Sequence, residues 1–202
     1  SNEVVNLIKE KIPTIQKSLP DDIVIEPFLD RTNLVNRAIK TVEKNLIEGA
    51  LIVIFVLVIF LGNLRAGLIV ASAIPLSLLF ALGMMNIFGV SANLMSLGAI
   101  DFGLIVDGAV IIVEATLHHL GLRKSTHQLT QKEMDEEVFL SASKIRNSAA
   151  FGEIIILIVY IPILTLVGVE GKMFTPMAKT VGFAILGALI LSLTYIPMMS
   201  AL

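Results

Sequence analysis

Beyond residue 45 the chain alternates long apolar runs with short polar breaks, and this pattern predicts five membrane-spanning helices. The expected spans are about 46–61, 67–88, 92–118, 149–167 and 177–201. Gly62-Asn63-Leu64-Arg65 is a tight turn between the first two, which sets them antiparallel. From Ala66 to Ile100 there are 35 residues without a charge, too long for one crossing and enough for two, so a break is expected in the polar, Gly-containing stretch Asn86 to Asn93. The loop 119–147 is polar, and Met134, Val138, Phe139, Ala142 and Ile145 within it predict a helix lying along the membrane surface. Gly168 to Pro176 is expected to turn the chain back into the fifth span. Pro75, Pro162 and Pro197 each interrupt a span, which membrane helices tolerate when neighbours satisfy the freed carbonyls.

Before the first span the pattern is that of a water-facing segment. Ile8, Ile12, Ile15 and Leu19 recur at helical spacing with Lys9, Lys11 and Lys17 between them, and Pro13 marks a kink. After Pro20-Asp21-Asp22, the stretch Ile23 to Phe28 reads as a short edge strand closed by Pro27. From Thr32, Leu34, Val35, Ala38, Ile39 and Val42 resume helical spacing and lead into the first span. The fold class expected is therefore an all-α transmembrane bundle over residues 31–202, with a small α+β remnant of a soluble domain over residues 1–30.

The third span carries the chemistry. Gly98 to Glu114 reads GAIDFGLIVDGAVIIVE and holds three carboxylates, Asp101, Asp107 and Glu114, in an apolar setting. An ionised Asp at the centre of a spanning helix costs roughly 2.5–3.5 kcal/mol, so several together need partners or protons. At 1.5 Å per residue, Asp101 to Asp107 covers about 9 Å and Asp101 to Glu114 about 20 Å, a ladder of proton-binding groups across the membrane. At 100° per residue Asp107 and Glu114 fall about 20° apart on one face, while Asp101 points about 120° away. Gly98, Gly103 and Gly108, with Ala99 and Ala109, clear side-chain bulk beside the acids and let other helices approach, as at the centre of a bundle. Desolvation raises a carboxylate's pKa and a nearby cation lowers it, so such groups can load and release protons as their neighbours move. That is the chemistry of a proton-coupled transporter.

Composition agrees with a membrane protein. The chain of 202 residues is 55% hydrophobic with a mean hydropathy of +0.87, and its net charge of −2 with no long basic run points away from nucleic acid. It has no cysteine, which excludes disulfides and thiolate metal sites, and no Trp for an interfacial belt. The first residues, SNEVVNLIKEK, are not a signal peptide, there is no initiator Met, and the last uncharged run reaches Leu202 without a polar flank. An internal piece of a longer protein is expected. Basic residues divide almost evenly between the two sides: Arg65, Arg123, Lys124, Lys132, Lys144 and Arg146 against Arg37, Lys40, Lys44, Lys172 and Lys179. If the first 45 residues belong to an exported domain their charges carry little topological weight, and the Arg65 side is cytoplasmic. No Lys or Arg lies deep inside a span to pair with the acids.

Other motifs are weaker. His118, His119 and His127 match no standard metal-ligand spacing. Met84, Met85 and Met95 are candidate soft ligands for monovalent copper, Met95 first among them, although methionine at helical spacing more often packs. Glu153 reads more readily as a lipid-interface or interhelical hydrogen-bonding residue than as a late member of a proton path, and Glu170 and Lys172 as caps of an external turn. Asp101-Phe102-Gly103 lacks every other kinase element and is a chance match.

Three stretches carry a resemblance. NLMSLGAIDFGLIVDGAVIIVE (Asn93 to Glu114), FLGNLRAGLIVASAIPLSLL (Phe60 to Leu79) and LVGVEGKMFTPMAKTVGFAILGALILSLTYIP (Leu166 to Pro197) closely resemble the heavy-metal efflux branch of the resistance-nodulation-division superfamily. The resemblance implies a multi-pass, proton-driven exporter of the Gram-negative inner membrane, with twelve spans and two large periplasmic domains, working as a homotrimer with a periplasmic adaptor and an outer-membrane channel. Residues 1 to about 30 would end the first periplasmic porter domain, and the five spans would be the second to sixth of the twelve. The pattern DFG-x3-D-x6-E resembles members that export divalent zinc, cobalt, nickel or cadmium more than copper and silver exporters, which lack the first Asp. By resemblance Asp107 and Asp101 would be proton-relay acids, with Glu114 assisting near the cytoplasmic end, and the cationic partner would lie outside this chain. Ala115 stands where the family commonly has Asn. Metal cations and protons would be cargo, with no bound cofactor.

Two other readings remain open. An intramembrane aspartyl protease built on Asp101 and Asp107 needs two carboxyls sharing a proton, which about 9 Å and 120° of separation prevent without unwinding. An inert truncated fragment is the third.

Overall fold

The computed structural model describes residues 2–20, 23–26, 32–91, 96, 98–122 and 130–202. It divides into two compact units, Ser1–Lys44 and Asn45–Leu202. Among the described residues the helices run, in chain order, α1 (Asn2–Gln16), α2 (Thr32–Leu61), α3 (Leu64–Ile87), α4 (Phe102–Leu122), α5 (Gln131–Leu164), α6 (Gly168–Leu193) and α7 (Tyr195–Ala201).

In the first unit, α1 forms across Pro13, and its apolar positions Val4, Leu7, Ile8 and Ile15 stay exposed. The strand expected over 23–28 does not form among the described residues; 23–26 has no regular secondary structure. The Gln16 side-chain amide takes the place of a neighbouring strand: its nitrogen donates to the Ile23 carbonyl at 2.5 Å, and its oxygen accepts the Ile25 N–H at 2.8 Å. One donor and one acceptor satisfy alternate residues of this segment, so no ladder is required to hold it.

Among the described residues five helical stretches are long and apolar enough to cross a membrane: Leu34–Leu61, Leu64–Ile87, Phe102–Leu122, Gln131–Leu164 and Gly168–Ala201. The first and second are joined by a reversal in which Gly62 adopts φ +60° and Asn63 caps α3, its Oδ1 accepting from the N–H groups of Arg65 and Ala66 at 3.0 and 3.3 Å. Gly67 then meets the α2 backbone: a Cβ there would lie 3.0 Å from Val58 Cα.

Helix α4 packs against α3, α5, α6 and α7. The contacts are made by small residues, Ala73 and Ala81 of α3, Ala109 of α4, Ala184 and Ala188 of α6, all almost fully buried, and by Ile105, Ile112, Ile185 and Ile196 between them. Small side chains are what let spanning helices approach in lipid, where apolar burial alone does not drive association. Hydroxyl contacts tie the same helices together: Thr116 to Ser141 at 3.3 Å, Ser72 to Tyr195 at 3.2 Å, and Thr180 to the Met85 sulfur at 3.4 Å. Each is worth about 0.6 kcal/mol on average in a membrane, enough to set register but not to hold the bundle. Much of α2 and α5 stays exposed and apolar, including Phe55, Ile59, Phe151, Ile155 and Ile158, a surface suited to lipid or to further helices.

Three boundaries differ from the sequence reading. The third span starts at Phe102, not near residue 92; the chain is non-helical at Ile100 and Asp101. The surface helix and the fourth span are one continuous helix, α5, opened by a capping box in which Glu133 Oε2 accepts the Thr130 N–H at 2.8 Å. Arg146-Asn147-Ser148-Ala149 contains neither Gly nor Pro, so nothing in the backbone ends the helix there. The expected turn 168–176 contracts to Thr165–Val167, with Gly168 at φ +75° already opening α6. The last span in turn breaks at Thr194. Pro197 explains that break, because its ring clashes with the Leu193 carbonyl and removes the N–H that would bond to it.

Candidate functional site

The break before α4 gives Asp101 a defined place. It is the last residue before the helix, and its Oδ1 accepts the Gly103 N–H at 2.8 Å, the bond of an N-cap. Cap and proton-binding roles can be separated here, since Asn caps as well as Asp. Asp101→Ala is expected to cost about 1 kcal/mol of stability, whereas Asp101→Asn should leave the thermal unfolding midpoint of the full-length protein unchanged and lose only the titratable group.

Asp107 and Glu114 follow on α4, two turns apart on one face, and both are exposed, as is Ile111 between them. The four neighbouring helices cover the rest of α4, so the acidic stripe is the side that the described residues leave open. Among the described residues no cationic side chain pairs with Asp101, Asp107 or Glu114. Asp101 and Asp107 share no hydrogen bond, the Asp101 carboxyl group being engaged by the Gly103 N–H, so they do not form the proton-sharing pair of an aspartyl protease.

A fourth carboxyl group, reached less readily from sequence, stands beside α4 at Gly108, about 100° around the helix axis from Asp107. Glu153 of α5 is 2% exposed, and its carboxyl group rests against Gly108, the residue after Asp107. A methyl group at Gly108 would coincide with Glu153 Oε1. The signal for it was an acid one turn inside an apolar run; what the sequence lacked was the pairing of α4 with α5.

The remaining candidates scatter. Met95 and His127 lie outside the described residues. Met85 is buried and accepts the Thr180 hydroxyl, and Met84 is half-buried. His118 is exposed, while His119 Nδ1 lies 2.9 Å from Glu137 Oε2, at the far end of α4 from Asp101. Glu170 sits in the first turn of α6, where a negative charge suits the helix dipole. Among the described residues no three His, Cys, Asp or Glu side chains are grouped to hold a metal ion.

Comparison with known proteins covers the whole chain. Residues 1–202 match the AcrB/AcrD/AcrF family. The chain is 51% identical over 189 residues to the cobalt-zinc-cadmium resistance protein CzcA of Cupriavidus metallidurans, and 48% identical over 187 residues to the nickel and cobalt resistance protein CnrA of the same organism. It is 34% identical over 192 residues to the cation efflux system protein CusA of Escherichia coli K12. Each match takes in 92% of this chain and 17–18% of the relative, so the chain spans less than a fifth of the length of these proteins. The crystal structure of a heavy metal efflux pump superposes with a TM-score of 0.79 at 41% identity, over 96% of this chain and 18% of the pump.

Proposed function

Since the chain belongs to the AcrB/AcrD/AcrF family, we propose that it forms part of the membrane domain of a proton-driven exporter of divalent metal cations, zinc, cobalt, nickel or cadmium. The observation that carries this reading is the stripe of Asp107 and Glu114, headed by Asp101, exposed along an otherwise apolar helix with no cation from the described residues to neutralise it. Carboxyl groups at that depth cost several kcal/mol when ionised and unpaired. They are retained where they bind protons in turn, and a change in what faces the stripe, from apolar side chains to a cation, is enough to load or discharge them. The higher identity to proteins named for cobalt, zinc, cadmium and nickel than to the CusA cation efflux protein supports the divalent class.

The same reading extends to the whole protein. Residues 1–30 would close a periplasmic porter domain of mixed α and β structure, the Arg65 side of the spans would face the cytoplasm of a Gram-negative cell, and a homotrimer in the inner membrane would act with a periplasmic adaptor and an outer-membrane channel. The test is metal-dependent proton flux by the full-length protein in liposomes, with zinc, cobalt, nickel, cadmium and monovalent copper supplied separately. Flux with the divalent ions is the expected result. Flux with copper alone would overturn the divalent assignment, and flux with none would overturn the transporter.

A further inference from the structure

Glu153 is an acid that the stripe on α4 does not account for. It is buried against Gly108, between α4, α5 and α6, and among the described residues neither carboxyl oxygen has a hydrogen-bond partner in normal geometry. The polar groups nearest to it are the Gly108 backbone and the Ser192 hydroxyl of α6. The Ser192 hydroxyl donates to the Leu189 carbonyl at 2.9 Å, and turning it to Glu153 would give up that bond. A carboxylate can only accept, so an ionised Glu153 competes with Leu189 for the Ser192 proton, whereas a carboxyl group that carries a proton has an acceptor in Ser192 with that bond intact. Ala or any larger residue at position 108 would take the space the carboxyl group occupies, so the glycine is what admits an acid to the interior of the bundle.

Two further features connect this acid to others. Asp107 is the residue next to Gly108, the glycine against which the Glu153 carboxyl group rests. On the other side, a cavity of about 90 Å³ opens between α4, α5, α6 and α7, lined among others by Ile112, Ser143, Arg146, Leu193 and Pro197. Ile112 is one turn beyond Gly108 on α4, Leu193 follows Ser192, and Arg146 is two turns before Glu153 on nearly the same face of α5. The cavity thus begins about one turn from Glu153, toward the Arg65 end of the spans. A water needs about 10–15 Å³ of such space and polar partners, which Ser143 and Arg146 supply.

We propose that Glu153 is a proton-carrying residue of the transport cycle, exchanging a proton with Asp107 past Gly108 and with water in the cavity beside Arg146. The inference rests on the exporter reading. The step is a proton transfer between carboxyl groups: Asp107 gives up its proton and becomes a carboxylate as Glu153 becomes the acid, and the reverse transfer restores both. The ionisable and charged groups that bear on Glu153 are few. On α4 Asp107 adjoins the glycine that Glu153 rests on, and α6 presents Ser192, which does not titrate in this range. The ionisable residue of α7, Tyr195, turns its hydroxyl to Ser72, and Arg146 lies along α5 itself.

The test uses the full-length protein in liposomes. Glu153→Gln keeps the shape and can donate to Ser192 but cannot pass a proton; metal-driven proton flux is expected to fall roughly 100-fold, the lower range for loss of a proton-transferring side chain, with protein abundance and metal binding unchanged. Flux within twofold of wild type would overturn the proposal and make Glu153 a packing residue. Should Glu153→Gln fail to accumulate, Glu153→Asp decides the matter through the pH profile of flux: a displaced profile supports a titrating role, and a profile lying on that of the wild type overturns it. Absence of flux in the wild-type protein would defeat the exporter reading and this inference with it, whereas flux lost in Asp107→Asn but intact in Glu153→Gln defeats this inference alone.

Discussion

Asp107→Asn in the full-length protein is expected to abolish metal-driven proton flux, a fall of roughly 100-fold or more, on the scale of losing a proton-transferring group. Asn keeps the volume of Asp and its hydrogen-bonding reach, and it cannot bind or release a proton. An ionised Asp near the centre of a spanning helix costs roughly 2.5–3.5 kcal/mol, so the substitution relieves a cost of insertion. Abundance in the membrane should accordingly be equal to wild type or higher, and lost flux could not be blamed on lost protein. Glu114 is on the same face but two turns away, about 10 Å along the axis, too far to take over the hand-off at Gly108. Asp107→Glu, which keeps the acid on a longer arm, is expected to recover part of the flux. Flux in Asp107→Asn above a tenth of wild type, at matched abundance, would remove Asp107 from the proton path.

Different physical signals made different parts of this molecule legible before the structure. The hairpin of α2 and α3 was plain because Gly62 and Asn63 have one obvious use, a left-handed residue followed by a cap, and both occur between apolar runs. The acids of α4 were plain because hydrocarbon makes a charge conspicuous. The start of α4 was not, since the polar residues from Asn86 to Asn93 mark a break but no charge or Pro between there and Asp101 marks where the next helix begins, and the capping role of Asp101 shows only in its bond to Gly103. The continuity of α5 was hidden for the opposite reason. Its polar first half and apolar second half sit in different solvents, and a change of solvent reads as a boundary although the backbone has none. Glu153 was visible as an acid but not as a neighbour of Gly108, because that contact joins positions 45 residues apart through helix packing.

Gly67→Leu is expected to remove the protein from the membrane fraction, and Gly67→Ala to destabilise it by about 1–3 kcal/mol, the usual cost of overpacking a tight contact. A Cβ at this position would lie 2.7 Å from Val58 Cγ2, 3.0 Å from Val58 Cα and 3.2 Å from Val58 N. Two of those atoms are backbone of α2 and cannot rotate away, and the joining turn through Gly62 and Asn63 is too short to let the helices part. Partial rescue follows from the same geometry. Val58→Ala removes the Cγ2 contact and leaves the two backbone contacts, so the double variant Val58→Ala, Gly67→Ala should regain some of the thermal stability lost in Gly67→Ala but not all of it. Complete rescue would show that the side chain alone set the distance, and no loss in Gly67→Ala would show that α2 and α3 do not meet as closely as Val58 and Gly67 place them.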